Sequence, residues 1–221
     1  MLRLGLWRAL YHALCLLKRL GFRGGRVRYF AYGANLDPAV LARRTIVPLA
    51  RNEAALPDHR LAFNHSVPFR GAAMASVDPA PGESVPGVIY ELWRIDALRL
   101  DCLESRFLLG RYGKEAFRHG KLGPVFFYRS RRRVEGLAPS RAYLDKILAG
   151  YGTMTTVSAD FKEKLARTMT LPGFEPKHPP EFLLRNYDIL GKWGRKWLVA
   201  YDERCVARFS AWIFKPSRFE K

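Results

Sequence analysis

A strand that ends abruptly at a glycine is the feature that most constrains this chain. The run VRYFAYGANL starts at Val27, alternates aromatic and small residues from Phe30 to Gly33, and soon meets Asp37-Pro38. A period of two predicts a half-buried strand, and aspartate followed by proline predicts the N-cap and first position of a helix. The chain therefore has to turn sharply between the two elements, with Gly33 at the corner.

Predicted strands come mostly early in the sequence and predicted helices mostly late. ALPDHRLAFNH is typical of a turn at Pro57-Asp58 and a strand, AAMASVDPAPGESVPGVIYEL of two strands around a Pro/Gly turn, and GPVFFYRSRRR of another strand. Helices are predicted at DALRLDCLES, with Asp96 as cap, and behind the capping residues Ser140 and Ser158. This order predicts an α+β protein with a small closed or strongly curved sheet and helices packed on it, rather than a doubly wound parallel sheet.

The charge balance favours an anionic partner. The 221 residues carry 38 Lys and Arg against 20 Asp and Glu, which gives a net charge of +18. A membrane surface, a nucleic acid or an acidic small molecule would suit this charge, but no nucleic-acid-binding module is recognisable in the sequence. Hydrophobic residues make up 48% of the chain, which is enough for one sizeable core.

The cysteines and histidines predict neither a disulfide framework nor a metal site. Cys15, Cys102 and Cys205 are odd in number, widely spaced and without a CxxC pair, and the five histidines form no cluster. A reducing, cytoplasmic location is therefore the expectation.

The N-terminal stretch MLRLGLWRALYHALCLLKRLGF leaves more than one interpretation open. Arg8, His12, Arg19 and Arg23 fall on one side of a helical wheel, and leucines fill much of the rest. The uninterrupted apolar runs are too short to span a bilayer, and no signal-peptide cleavage site follows them. The two main interpretations are a basic amphipathic helix lying on anionic lipid at the inner face of the membrane and a helix docked on the protein's own core, and a weak signal anchor or a misassigned start codon are the remaining ones.

Three segments follow from these patterns. Residues 1–26 form the basic N-terminal helix and linker, 27–170 the folded domain, and 171–221 a Pro/Gly-rich linker with a basic, aromatic C-terminal extension that is expected to be helical. The extension contains Trp193, Trp197 and Trp212 among lysines and arginines, which suits either a membrane interface or a cap on the core.

The corner at Gly33 is expected to bring backbone amides together. Since glycine accepts angles that other residues avoid, the amides of Ala34, Asn35 and Leu36 are expected to point into one space, with the Asn35 side chain as a further donor. Such a nest suits an anion, for example a carboxylate. The same kind of turn also occurs for purely structural reasons, so the turn alone leaves both interpretations open.

Glu104 is the candidate acid or base. It follows Leu100 and Leu103 on an apolar helix face. A carboxyl group held against an apolar surface is a candidate proton shuttle near neutral pH, because desolvation disfavours its charged form. The alternative is an exposed glutamate at a helix end.

These stretches together resemble a known family. YFAYGANL is similar to the Tyr-Gly-Ser-Asn-Leu motif of the γ-glutamylcyclotransferase-like (AIG2-like) superfamily. GVIYEL, LDCLES and Tyr112 resemble the family's Gly-Val strand, its Leu-Asp-x-x-Glu motif and a following aromatic residue, and APSRAYLDKILAGYG resembles its late Pro-Ser-x-x-Tyr helix. The resemblance runs in order from about Val27 to Met169.

The resemblance implies a small mixed β-barrel with surrounding helices, and an enzyme that releases 5-oxoproline from γ-glutamyl compounds without a cofactor or metal. The substrate's own α-amine attacks its γ-carbonyl, so the protein has to fold the substrate and move protons. By motif, Glu104 is the general acid/base, the turn amides hold the glutamyl α-carboxylate, and three tyrosines line the pocket. The implied substrate-binding residues are Tyr32, Gly33, Ala34, Asn35, Leu36, Tyr112 and Tyr143.

Two positions depart from the family pattern. Ala34 replaces the usual serine, which removes one hydrogen bond of about 1 kcal/mol if the hydroxyl contributes. The spacing from Glu104 to Tyr112 is slightly long. Both departures bear on the substrate more than on the fold.

Other functions remain as alternatives. A non-catalytic AIG2-like binding or scaffold protein on an anionic membrane surface is the rival from another class, and an acyl-transfer or amide-cleaving enzyme is a further one. Cys102 lies two residues before Glu104, on roughly the opposite helix face, and Ser66 has no nucleophile-elbow motif around it, so neither is favoured as a nucleophile. The basic run at 129–133 suits a solvated loop or a phosphate or headgroup contact.

Overall fold

The computed structural model describes residues 2–66, 72–104, 112–131 and 133–171, and for residues 2–9 the backbone alone. The elements in chain order are α1 (Leu2–Arg19), β1 (Arg26–Ala31), a 3-10 turn (Ala34–Leu36), α2 (Pro38–Arg43), β2 (Ala50–Ser66), β3 (Ala73–Trp93), α3 (Arg94–Leu103), β4 (Tyr112–His119), β5 (Gly123–Ser130), α4 (Arg141–Gly152) and α5 (Ala159–Ala166).

The five strands form one mixed sheet in the order β2-β3-β1-β5-β4. Neighbouring strands are antiparallel except for β1 and β5, which run parallel with Tyr29 opposite Phe126. The predicted α+β class with a mixed sheet and surrounding helices is confirmed. The sheet is open rather than a closed barrel, because the described parts of its edge strands β2 and β4 do not pair with each other. An isolated bridge joins His65 of β2 to Arg133, just after β5.

The Pro/Gly segment of β3 does not reverse the chain, so the predicted hairpin is wrong. β3 is one strand of 21 residues that pairs with β2 along most of its length. The register shifts where Asp58, at φ 54°, lies near Gly82, at φ 81°, and the Asp58 carboxylate accepts a hydrogen bond from the Gly82 amide at 3.0 Å. The two turn signals therefore meet across the ladder as one bulge, which lets a long antiparallel pair bend without ending.

Most helix starts agree with the sequence. The side chains of Asp37, Ser140 and Ser158 cap α2, α4 and α5 as predicted. The predicted cap at Asp96 is wrong: α3 begins at Arg94, and Asp96 lies in its first turn, 1% exposed and paired with Arg99 and Lys18. A buried carboxylate needs such partners, and this requirement outweighs its use as a cap.

One hydrophobic core joins the sheet to the C-terminal helices. Its fully buried side chains include Phe30, Tyr90, Phe127, Leu144 and Tyr151, from β1, β3, β5 and α4. The turn after β1 therefore lies between the sheet and α4, packed from both sides.

Helix α1 docks on α3, as the docking alternative predicted. Leu14 is buried against Ile95 and Cys102, and Tyr11 packs at the edge of this small cluster. Lys18 donates to the Asp96 carboxylate at 2.7 Å. No helix in the described part of the chain combines the length and hydropathy needed to cross a membrane. The predicted C-terminal extension, apart from residue 171, lies outside the described residues.

Candidate functional site

The turn after β1 is tight because of close packing. Gly33 has φ −117° and ψ −141°, outside the left-handed region, so the expectation of a special backbone angle is wrong. A side chain at this position would meet the methyl group of Ala75 at 3.3 Å and the Tyr143 hydroxyl at 3.6 Å. Glycine therefore lets the turn lie against β3 and α4.

The three turn amides are not equivalent. The amide of Leu36 donates to the Gly33 carbonyl at 2.9 Å and closes the 3-10 turn, so it is not a free donor, contrary to the expectation. The amides of Ala34 and Asn35 have no hydrogen-bond acceptor among the described residues. Two backbone donors, rather than three, are thus available at the corner.

Two buried tyrosines, one on β3 and one on α4, hold this turn in place by hydrogen bonds. The Tyr90 hydroxyl donates to the Leu36 carbonyl at 2.8 Å. The Tyr151 hydroxyl of α4 donates at 3.0 Å to the carbonyl of Tyr32. Because the buried core holds the turn on two sides, the Ala34 and Asn35 amides have a defined direction.

Glu104 lies beside this turn, at the end of α3. Its side chain is 19% exposed, and its Oε1 accepts from Asn35 Nδ2 at 3.3 Å and from Arg44 NH1 at 3.2 Å. The expectation of apolar surroundings is therefore wrong for the carboxylate group itself, which has an amide and a guanidinium as neighbours. Residues 105–111, directly after Glu104, lie outside the described chain.

Arg44 is the principal residue that sequence reasoning missed. Its NH1 also donates to Asn35 Oδ1 at 3.0 Å, so it contacts both the carboxylate and the turn. The one sequence signal was the pair Arg43-Arg44 at the end of the helix that follows the turn. Tyr29 was missed too: its hydroxyl accepts from Asn35 Nδ2 at 2.8 Å.

Two of the predicted tyrosines, Tyr112 and Tyr143, meet at Ala75 of β3. The Tyr112 hydroxyl donates to the Ala75 carbonyl at 2.9 Å, and the Ala75 amide donates to the Tyr143 hydroxyl at 3.2 Å. Tyr32 is buried, and its hydroxyl donates to the carbonyl of Tyr128 at 2.5 Å. The fold thus brings Tyr32, Tyr112 and Tyr143 to the same side as the turn, although they come from three separate elements.

The phenol groups around Glu104 stay protonated over the neutral range. Burial raises the pKa of Tyr29, Tyr32, Tyr112 and Tyr128 well above the ordinary value, and the negative charge of Glu104 adds to the shift in each. A second carboxylate, the buried Asp101, belongs to the same group of side chains and accepts from the Tyr128 hydroxyl at 2.7 Å. In the described part of the chain, no three His, Cys, Asp or Glu side chains group as a metal ion would require.

No protein-family model matches the chain, and no curated protein matches it. Several solved structures do resemble it. A structure of a γ-glutamyl cyclotransferase gives a TM-score of 0.58 at 20% identity, covering 73% of this chain and 98% of that one. An uncharacterized protein from Homo sapiens gives 0.58 at 21% identity, covering 73% and 97%.

YkqA from Bacillus subtilis gives a TM-score of 0.53 at 20% identity, covering 68% of this chain and 56% of YkqA. Identities this low establish the fold alone. The chain has the γ-glutamylcyclotransferase-like fold, in agreement with the resemblance found in its sequence motifs.

Proposed function

From this γ-glutamylcyclotransferase-like fold, we propose that the protein is a cofactor-independent enzyme that cyclises a γ-glutamyl group to 5-oxoproline and releases an amine, amino acid or peptide. The α-nitrogen of the substrate forms a bond to the γ-carbonyl carbon, and the bond from that carbon to the leaving nitrogen breaks. The α-ammonium gives up two protons on becoming the lactam N–H, and the leaving nitrogen gains two on becoming an ammonium. Glu104 relays these protons as general acid/base.

The observation that carries the proposal is the position of Glu104 beside the turn. Its Oε1 lies 3.3 Å from the side-chain nitrogen of Asn35, and the backbone amides of Ala34 and Asn35 belong to the same turn. A γ-glutamyl unit needs a donor site for its α-carboxylate and a base near its α-ammonium, and these two groups are attached to the same carbon. The short distance therefore suits both ends of the reacting unit, and holding them in a ring-closing pose supplies much of the catalysis.

Neutral tyrosine hydroxyls support the same proposal. Tyr32, Tyr112 and Tyr143 are assigned to the pocket as uncharged walls, since the hydroxyls of Tyr32 and Tyr112 donate to backbone carbonyls and that of Tyr143 accepts from the Ala75 amide. Ala34 in place of serine leaves the backbone amide in position, so the proposed carboxylate site depends on main-chain donors.

The test is 5-oxoproline release from a panel of γ-glutamyl amines, amino acids and peptides. Wild type is compared with Glu104→Gln, which keeps the size of the side chain and removes its basicity. We expect the substitution to lower kcat by about 10²–10⁴-fold, the usual contribution of a positioned acid/base. Glu91→Gln is the matched control, since Glu91 is also 19% exposed and paired with arginines, but lies on β3 with Arg26 and Arg28 as partners.

Two results would contradict the proposal. If wild type releases no 5-oxoproline from any member of the panel, the reaction is wrong. If Glu104→Gln retains the rate of Glu91→Gln, the reaction stands and the role given to Glu104 is wrong.

An anionic membrane surface is proposed as a second partner, through α1. The helix docks by Leu14, while Leu16 on the opposite face, Leu17 at the flank of the docked face and Leu20 just after the helix end are 57%, 42% and 74% exposed. No acidic residue precedes Asp37 in the chain, so the charged side chains that α1 itself carries are all basic. Such a face suits the headgroup region of an anionic bilayer, and binding there does not require α1 to leave α3.

Liposome sedimentation with the full chain tests this second proposal. The triple variant Leu16→Ser/Leu17→Ser/Leu20→Ser is expected to lose binding to vesicles that contain phosphatidylserine. Val47→Ser/Met169→Ser, which removes two exposed apolar side chains elsewhere, is the control. Equal sedimentation of all three proteins would refute the membrane contact.

A further inference from the structure

The segment between α2 and β2 carries a strained residue next to the candidate site. Thr45 has φ 52°, in the left-handed region that β-branched residues rarely occupy. It directly follows Arg44, the residue that contacts Glu104 and Asn35. Strained backbone of this kind persists only where surrounding contacts determine it, and it is concentrated at functional sites.

A buried cation holds this strained segment. Arg99 of α3 is 2% exposed, and its guanidinium donates to the Arg44 carbonyl at 2.8 Å, to the Thr45 carbonyl at 3.1 Å and to the Thr45 hydroxyl at 2.5 Å. Asp96 orients the guanidinium by accepting from it at 2.8 Å. One buried side chain therefore binds the backbone carbonyls on both sides of the Thr45 Cα, and the hydroxyl of Thr45 as well.

Helix α1 contributes a fourth contact. Lys18 Nζ donates to the Thr45 carbonyl at 2.8 Å and to the Asp96 carboxylate at 2.7 Å. The N-terminal helix thus reaches the same backbone segment from 27 positions earlier in the chain.

These contacts to the Arg44 and Thr45 backbone bear on the orientation of the Glu104 carboxylate. Arg99 lies within α3, and Glu104 is the C-cap of that helix. Helix α3 therefore contacts the backbone of Arg44 through Arg99 and the side chain of Arg44 through Glu104. The carboxylate, Asn35 and Arg44 form a closed triangle of contacts at 3.0–3.3 Å. The orientation of the carboxylate therefore depends on where the Arg44 backbone is held.

We propose that Arg44 is a positioning residue that orients Glu104 and Asn35, and that Lys18 of α1 acts on the same site through Thr45. The catalytic meaning of this proposal rests on the proposed function, whereas the positioning itself does not. The N-terminal helix is then part of the working site rather than a separate attachment.

The first test separates kcat from KM. Arg44→Gln is expected to lower kcat by about 10–100-fold, because small displacements of a reacting group cost rates of this order, with KM changed much less. Arg44→Lys keeps the charge and is expected to recover part of kcat. Arg43→Gln, an exposed neighbour on α2, is the matched control. A kcat for Arg44→Gln equal to that of Arg43→Gln would overturn the proposal.

The second test addresses α1. Lys18→Met is compared with Arg19→Met, an exposed neighbour on the same helix. We expect Lys18→Met to lower kcat several-fold, and to add little in an Arg44→Gln background, because residues acting through one contact are not additive. Full additivity, or no difference from Arg19→Met, would refute the part assigned to Lys18.

A readout without turnover distinguishes this inference from the proposed function. If wild type releases no 5-oxoproline, the guanidinium ¹⁵N–¹H resonances of Arg44 still report its contacts by nuclear magnetic resonance. They are expected to shift in Glu104→Gln and in Lys18→Met and to stay unchanged in Arg19→Met. Unchanged Arg44 resonances in the first two variants would sink the positioning proposal, even with an active enzyme.

Discussion

The side-chain amide of Asn35 lies 3.3 Å from Oε1 of Glu104, although 69 positions separate the two residues in the chain. The same nitrogen donates to the Tyr29 hydroxyl at 2.8 Å, and Asn35 Oδ1 accepts from Arg44 at 3.0 Å. Asn35 is itself buried, so each of these contacts replaces water that the side chain has lost. It joins the turn after β1 to the carboxylate at the end of α3.

Asn35→Ala is expected to lower both activity and stability. The free energy of unfolding should fall by about 1–3 kcal/mol, because the Tyr29 hydroxyl and the Arg44 guanidinium lose a partner in a partly buried site. The kcat/KM for 5-oxoproline release should fall at least about tenfold, since Glu104 loses a contact that orients it. Urea unfolding and steady-state kinetics measure the two effects.

Asn52→Ala, at an exposed position on β2, is the control for Asn35→Ala. It is expected to leave the free energy of unfolding within about 0.5 kcal/mol of wild type. If both alanine variants behaved alike, the turn and the carboxylate would be independent.

Gly150 of α4 supports the turn through close approach. A methyl group there would lie 2.7 Å from Cβ of Leu36, closer than two carbon atoms can pack. Gly150→Ala is therefore expected to push Leu36 and the adjoining Asn35, with a loss of stability of about 1–2 kcal/mol after the gain in helix propensity is subtracted. Activity should fall with it.

Gly152 offers a matched control on the same helix, since nothing lies within 4 Å of a methyl group placed there. Gly152→Ala should leave stability unchanged or slightly raised. Thermal unfolding of the two variants compares them directly, and equal melting temperatures would show that α4 does not constrain the turn.

Local chemistry explains what the sequence predicted well. The correct predictions depend on residues within a few positions of one another. They are strand β1, the turn at Gly33, and the helix caps at Asp37, Ser140 and Ser158. The candidate carboxylate at Glu104 was found through a resemblance of motifs, and it lies beside the predicted turn.

What sequence reasoning missed depends on distant partners. Arg44 meets Glu104 across 60 positions, and the pairing of Asp96 with Lys18, across 78 positions, removed it from the role of cap. The Pro/Gly segment of β3 looked like a hairpin because its partner, the bulge at Asp58, lies 24 positions from Gly82. No pattern within a single segment contains such information, since each pairing is decided by the sheet and by α3.

The Cys102 thiol is expected to be unreactive in the folded protein. It is fully buried, and burial together with the neighbouring Asp101 carboxylate raises its pKa to about 11. At pH about 8 only about one thiol in a thousand would then be ionised, and only the thiolate reacts. In Cys15→Ser/Cys205→Ser, labelling by a disulfide reagent should be at least about 100-fold slower in the native than in the unfolded protein.

The comparison variant for this experiment is Cys102→Ser/Cys205→Ser, which retains the half-buried Cys15. Cys15 is expected to label faster than Cys102 under native conditions. Native labelling of Cys102 at the unfolded rate would show that α1 leaves α3 readily, because Cys102 packs beneath Leu14.

Glu53 makes stability depend on pH in the acid range. Its carboxylate accepts hydrogen bonds from the amides and hydroxyls of Thr155 and Thr156 at 2.7–3.3 Å, and these bonds lower its pKa from 4.5 to about 2. A folded pKa below the unfolded value means that the contribution of Glu53 to the free energy of unfolding is complete above pH about 4.5 and is lost as the pH falls towards 2.

Relative to Glu53→Gln, wild type should be about 1 kcal/mol more stable at pH about 6, a modest figure because solvent reaches the carboxylate. Urea unfolding from pH about 6 to pH about 2 should show the difference in free energy of unfolding between wild type and Glu53→Gln falling to zero. The control Glu83→Gln, at an exposed position on β3, should show no difference from wild type at any pH. A difference for Glu53→Gln that stays constant down to pH about 2 would mean that the two threonines do not recognise the charged form of Glu53.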